Sequence, residues 1–211
     1  IASCLVGSEM CIRDRPYSLS ASKTIIFDTE TTGLNPGEDE IIQISIIDGL
    51  GNVLINELVH PYWKKSWSEA ARVNGITPDR VANAPYPHEL IPKVKGIFAA
   101  ADLLVAYNNQ FDLNFLEEWG IQAIGKKQFD VMLAFAREYG EWNDFFCDYK
   151  WQKLGTAAAY YGYHFRAHDS LEDVRATLYI FDQMQHSNKR ELFEDYFWED
   201  SEDEFDEEEE W

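Results

Sequence analysis

The chain has 211 residues, of which 45% are apolar and 15% aromatic, and a formal net charge of −20. That supplies one ordinary domain with a real core and excludes a disordered chain, while no apolar run is long enough to span a membrane. The three cysteines (Cys4, Cys11 and Cys147) are odd in number and lack metal-like spacing, which excludes a disulfide framework and a zinc site and makes a reducing cytoplasm the expected compartment.

Residues 1–22 have no clear period and lack the basic start and apolar stretch of a signal peptide. They read as a leader, either disordered or foreign to the domain. A domain over 23–186 follows. Thr24 to Asp28 reads as a buried strand and Ile41 to Asp48 as a second. Gly49 to Asn52 turns the chain, and Val53 to His60 returns as a third, so the domain opens on an antiparallel meander. Ser68 to Val73 suggests a short helix. Thr77-Pro78 reads as a cap followed by proline in the first helical position. His88 to Ala101 reads as a longer helix with Ile91, Val94, Ile97 and Phe98 on one face. Leu103 to Tyr107 is a short buried strand, and Phe111 to Trp119 a helix stopped by Gly120. Phe129 ends another strand, and Asp130 caps a helix over Val131 to Tyr139. Trp151 to Tyr161 and Ser170 to Met184 are the last helices, the latter with Leu171, Val174, Leu178 and Phe181 as its apolar stripe. This order implies an α/β fold with a mixed sheet flanked by helices.

Residues 187–211 form an acidic C-terminal tail. Glu194 to Trp211 contains 12 acidic residues and no Lys or Arg, and without it the chain has 26 acidic against 18 basic residues. Attraction to phosphates must therefore come from local patches or bound metal rather than overall charge. The tail reads as a solvating segment. Phe205 and Trp211, set among the acids, also suit it to a protein partner or to mimicry of nucleic acid. The pairs Lys64-Lys65, Lys93 with Lys95, and Lys126-Lys127 are candidate phosphate contacts, and the aromatic loop Glu141 to Lys150 is a candidate base-stacking surface.

Three acidic clusters carry the chemistry. Asp28 and Glu30 are two apart at a strand end, so an extended backbone points both carboxylates to one side. Such a pair resists desolvation, and a hard cation such as Mg²⁺ or Mn²⁺ relieves it. Asn108-Asn-Gln-Phe111-Asp112 follows the fourth strand, where Asp112 also suits a helix dipole and Asn108 a cap. His168-Asp-Ser-Leu-Glu-Asp173 opens the last helix. Ser170 as N-cap with Asp173 three residues on would be a capping box, which leaves His168 unexplained.

Together FDTETTGL, YNNQFD and HDSLEDVRAT resemble the three motifs of the DEDDh exonucleases, the family of the proofreading epsilon subunit of bacterial replicative polymerase, over roughly Lys23 to Gln185. The resemblance implies a ribonuclease H-like three-layer fold with a mixed five-stranded sheet. It implies that Asp28, Glu30, Asp112 and Asp173 hold two divalent cations, Mg²⁺ with Mn²⁺ able to substitute, and that His168 is the general base. Thr29, Thr31, Leu34, Asn108 and Phe111 would seat the terminal nucleotide. The expected activity is 3′→5′ hydrolysis of single-stranded or frayed DNA ends to nucleoside 5′-monophosphates, in proofreading or repair. A 3′→5′ exoribonuclease is the alternative; a non-catalytic scaffold is disfavoured because all five residues are present. Asn74 departs from the family, which has His there, and this puts base or strand preference in question.

Overall fold

A computed structural model describes residues 23–186 and 196–199. Strands β1 (Thr24–Thr31), β2 (Ile41–Asp48) and β3 (Val53–Leu58) form the expected meander. Helices α1 (Ser68–Asn74), α2 (Pro78–Val81) and α3 (Pro87–Ala100) lead to β4 (Leu103–Ala106) and α4 (Asn109–Glu117). Next come β5 (Lys127–Asp130), α5 (Val131–Tyr139), a small hairpin of β6 (Trp142–Asn143) and β7 (Asp148–Tyr149), α6 (Leu154–Tyr160), α7 (Ser170–Gln185) and β8 (Phe197–Glu199). The main sheet runs β3-β2-β1-β4-β5-β8. β1, β4 and β5 are parallel, while β2, β3 and β8 each run antiparallel to a neighbour.

The two-residue period of β1 divides its side chains between two cores. Ile25 and Phe27 pack with Ile44, Val94, Phe98 and Phe115 on the α3–α4 face. Ile26 packs with Val105, Phe129, Phe135, Val174 and Phe181 on the α5–α7 face. The result is three layers, and the carboxyl ends of all three parallel strands meet at one edge of the sheet, where α4 and α7 begin. Among the described residues no helix is long and apolar enough to cross a membrane.

The five expected strands are joined by a sixth, β8. Its Phe197 packs 4.9 Å from Phe129, and Arg137 lies over Tyr196, so three residues within the acidic tail complete the sheet. The leader at 1–22 and the rest of the tail lie outside the described residues.

Several local readings change: α4 runs over Asn109–Glu117 rather than Phe111 to Trp119, and β3 ends at Leu58 rather than His60. Helix α6 starts at Leu154 rather than Trp151, because Tyr107 donates to the Gln152 carbonyl (2.7 Å) and Lys150 pairs with Glu141 (2.6 Å), holding the preceding segment extended. In α3, Leu90 rather than Ile91 is buried. Asp169, not Ser170, caps α7: its side chain accepts from the Leu171 N–H at 3.2 Å, which rules out the capping box with Asp173. Asp130 caps α5 as expected, accepting from the Leu133 N–H at 3.1 Å.

Candidate active site

The register between β1 and β2 shifts at Glu30/Thr31. An irregularity of this kind bends the strand and re-aims the side chain beside it. Asp28 and Glu30 project from this strand end toward Asp173, from the first turn of α7. Carboxylate oxygens of the three lie within 4.8 Å of one another. Asp112 reaches the same place from the first turn of α4. It is 2% exposed, and its Oδ1 accepts both the Thr29 N–H (2.8 Å) and the Thr29 hydroxyl (2.6 Å).

His168 sits before α7 with φ of 68°, a left-handed conformation that costs a non-glycine residue strain. Its N–H donates to Asp173 Oδ2 at 3.2 Å. This tether brings His168 and Asp173 to the wall of one cleft. Ser170, fully buried, donates its hydroxyl to the Asp28 carbonyl at 3.2 Å and so joins the start of α7 to the end of β1.

The cleft has two lobes. One, of about 830 Å³, is lined by Asp28, Glu30, Asp112, His168 and Asp173, with Tyr107 and the segment Lys153 to Thr156 opposite. The other, of about 680 Å³, runs from Glu30 past Thr31, Leu34, Lys64, Trp67 and Asn74. Thr29, Glu30, Val73 and Phe111 line both.

The residues expected to seat a nucleotide fall into two groups. Thr31, Phe111 and the 84% exposed Leu34 lie along the second lobe. Thr29 lines both lobes, but its N–H and hydroxyl are engaged by Asp112. Asn108 is not among the lining residues; it starts α4 at φ of 72° without a side-chain capping bond. Gly33 lets the Asp39 carboxylate approach the loop, where a Cβ would overlap it.

The sequence links Asn74 only with substrate preference. In the structure it is buried, donates to the Thr31 carbonyl (3.4 Å), accepts from the Ile76 N–H (3.0 Å) and hydrogen-bonds the Glu30 side chain. No local sequence signal connects Asn74 to Glu30, or Ser170 to Asp28.

Burial raises all four acids, and the charges of their neighbours add to it for Glu30, Asp112 and Asp173. Burial pushes Asp28 up to about 6. Burial and then the Asp28 and Asp173 charges push Glu30 up to about 8, and burial and then Asp28 push Asp173 to about 8. Asp112 is raised by burial and by the charge of Asp28. Asp28 Oδ2 and Asp173 Oδ1 are buried without a hydrogen-bond partner among the described residues. Several hard oxygen ligands, close together and short of hydrogen-bond donors, fit a divalent cation of the Mg²⁺ or Mn²⁺ kind.

Residues 25–181 match the model of the Exonuclease (RNase_T) family. The chain is 34% identical over 173 residues to exonuclease CP81 of Escherichia phage 186, covering 76% of this chain and 87% of that one. It is 30% identical over 163 residues to the PolC-type DNA polymerase III of Thermotoga maritima, covering 74% of this chain but 11% of that much longer protein. Among solved structures, Escherichia coli exonuclease I in complex with a dA16 oligonucleotide superposes with a TM-score of 0.67 at 19% identity, over 81% of this chain and 42% of that one, a likeness of fold. The chain therefore belongs to the exonuclease family, hydrolases that cut nucleotides from the end of a nucleic-acid strand.

Proposed function

We propose that this exonuclease removes nucleotides one at a time from single-stranded or frayed 3′ ends of DNA, releasing nucleoside 5′-monophosphates. The observation that carries the reading is the Asp28–Glu30–Asp173 group, with two buried unpartnered oxygens, in one cleft with Asp112 and His168. The named DNA polymerase relatives and the oligonucleotide bound to exonuclease I support DNA as the substrate and proofreading or repair as the setting. An odd set of cysteines, without metal-like spacing, fits a reducing cytoplasm.

Two divalent cations held by Asp28, Glu30, Asp112 and Asp173 would neutralise this acidic cluster and supply the positive charge that stabilises both the attacking and the leaving oxygen. His168 accepts the proton of the attacking water at a ring nitrogen as the water oxygen bonds to phosphorus and the bond from phosphorus to the 3′ oxygen breaks. Its backbone N–H bond to Asp173 keeps the residue at the wall of the cleft. Asn74 and the Thr29–Asp112 pair orient the acids. Phe111 and Leu34 offer apolar surface to the terminal nucleotide.

The test is digestion of matched 5′-labelled single-stranded DNA and RNA with Mg²⁺, Mn²⁺ or EDTA, beside His168→Ala. The expected result is a ladder shortening from the 3′ end, faster on DNA, abolished by EDTA and strongly reduced in the variant. A faster RNA ladder would reassign the substrate, and no cleavage by the folded protein would overturn the reading.

A further inference from the structure

We infer that a stack of aromatic rings beside the cleft (Tyr62, Trp63, Tyr86 and His88) is a landing surface for the single strand upstream of the reacting end. The inference rests on the proposed activity at the cleft for the direction of the strand. The surface itself is read from the geometry.

β2 runs antiparallel to both β1 and β3, so β1 and β3 finish at the same edge of the sheet. The segment after β3 therefore emerges on the side of the reacting carboxylates, two strand spacings or about 10 Å across. It is held rigidly. Buried Glu40 accepts the backbone N–H groups of Tyr62 (2.6 Å), Trp63 (3.0 Å) and Lys64 (2.7 Å). From the start of α3, His88 bonds the Tyr62 hydroxyl through Nδ1 at 2.7 Å.

The rings are close to parallel. Tyr62 stacks with Tyr86 at 5.5 Å and 14° and with Trp63 at 6.2 Å and 23°, while His88 lies edge to edge with Tyr62 through their hydrogen bond, its plane within 12° of Tyr62's. Trp63 ends the stack and is 61% exposed. Parallel, pre-organised rings with a free end are what a run of bases extends, because every base presents a flat π face whatever its identity.

Charge and continuity select the occupant. Lys64 and Lys65 follow Trp63 directly, and Lys64, Ser66 and Trp67 go on to line the smaller lobe of the cleft. Lys65 is exposed, while Lys64 pairs with Asp39 at 2.7 Å. The aromatic loop singled out in the sequence makes a useful contrast. Phe145 and Phe146 are 86% and 72% exposed, but they lie between Asp144 and Asp148, which would repel phosphates.

The test uses the full chain carrying Asp28→Asn, so that binding is read without turnover, and fluorescently labelled dT15 and dT3 in buffer free of divalent ions. Adding Trp63→Ala or Tyr86→Ala is expected to weaken dT15 about tenfold and dT3 less than twofold, while Trp63→Phe restores most of the loss. Lys65→Ala is expected to lower the salt dependence of dT15 binding by about 0.7 in log–log slope. Equal losses on both lengths would overturn the inference by making the rings a support of the cleft. An unchanged dT15 affinity would overturn it too and leave the rings to a protein partner. The unsubstituted enzyme separates the two readings. Length-dependent binding through Trp63 without cleavage in Mg²⁺ or Mn²⁺ sinks the exonuclease proposal alone, and cleavage with binding indifferent to Trp63 sinks the landing surface alone.

Discussion

Two sets of carboxylates lie around one sheet and are treated in opposite ways. Asp48, at the far end of β2, accepts the Leu50 N–H, the Asn52 N–H and the Asn52 side-chain amide, each at 2.9 Å. Glu40, at the near end, accepts three backbone N–H groups. Asp28 and Asp173 are crowded against Glu30 and each keeps a buried oxygen without a donor. A buried acid serving structure finds its donors in its own chain, because the cost of leaving it bare is otherwise too high. Acids left short of donors, and placed together, hold their binding capacity for something from outside.

The largest break in this comparison is Asp28→Asn. On the proposed reading it removes one of the charges that would hold the cations, and kcat on single-stranded DNA is expected to fall roughly a thousandfold. The same variant, without metal at pH 8, is expected to melt higher than the parent, because it removes a repulsive charge. A lower melting temperature would place Asp28 with the structural acids.

Next is metal linkage. Asp28, Glu30 and Asp173 have folded-state values raised to about 6, 8 and 8. Each therefore contributes stability that is full below its unfolded value and is lost as pH rises through the folded one. The metal-free protein should weaken between about pH 4 and pH 8 on their account. Mg²⁺ at a hundredfold its dissociation constant should add about 2.7 kcal/mol. At one fixed Mg²⁺ concentration, scanning calorimetry should show a larger gain at pH 8 than at pH 5, and equal gains would contradict the assignment.

Asp48→Ala strands three donors and is expected to cost about 2 kcal/mol in urea unfolding, with kcat per folded molecule unchanged. Asn74→Ala is the smallest change: it frees Glu30 on one side and should weaken Mg²⁺ about tenfold, read by titrating activity against the metal. A loss confined to stability would return Asn74 to the loop it braces.

The elements legible in the sequence are those whose causes are local. β2 over Ile41 to Asp48 and α5 over Val131 to Tyr139 have the boundaries that their apolar pattern and turn or cap residues indicate. Asp28 and Glu30 could be put on one side of a strand from their spacing alone. What was hidden depends on contacts distant in sequence. Tyr107 delays α6 by bonding Gln152, 45 residues away. Ser170 reads as a cap until its hydroxyl is found on the Asp28 carbonyl, 142 residues away. Phe197 and Trp198 sit inside an acidic run whose charge masks their strand pattern, and their pairing with β5 emerges only when Phe129 is seen beside Phe197.

β8 has a consequence for how copies of the protein behave near one another. A sheet edge offers unpaired backbone groups on which another molecule can add a strand, the usual opening for aggregation. Here the edge strand is three residues long, and its sequence neighbours are Glu194, Asp195, Asp200, Glu202 and Asp203. A second copy approaching that edge in the same way would bring a like-charged run against this one. The segment that completes the sheet thus also discourages the sheet from growing, and it does so most strongly at low ionic strength.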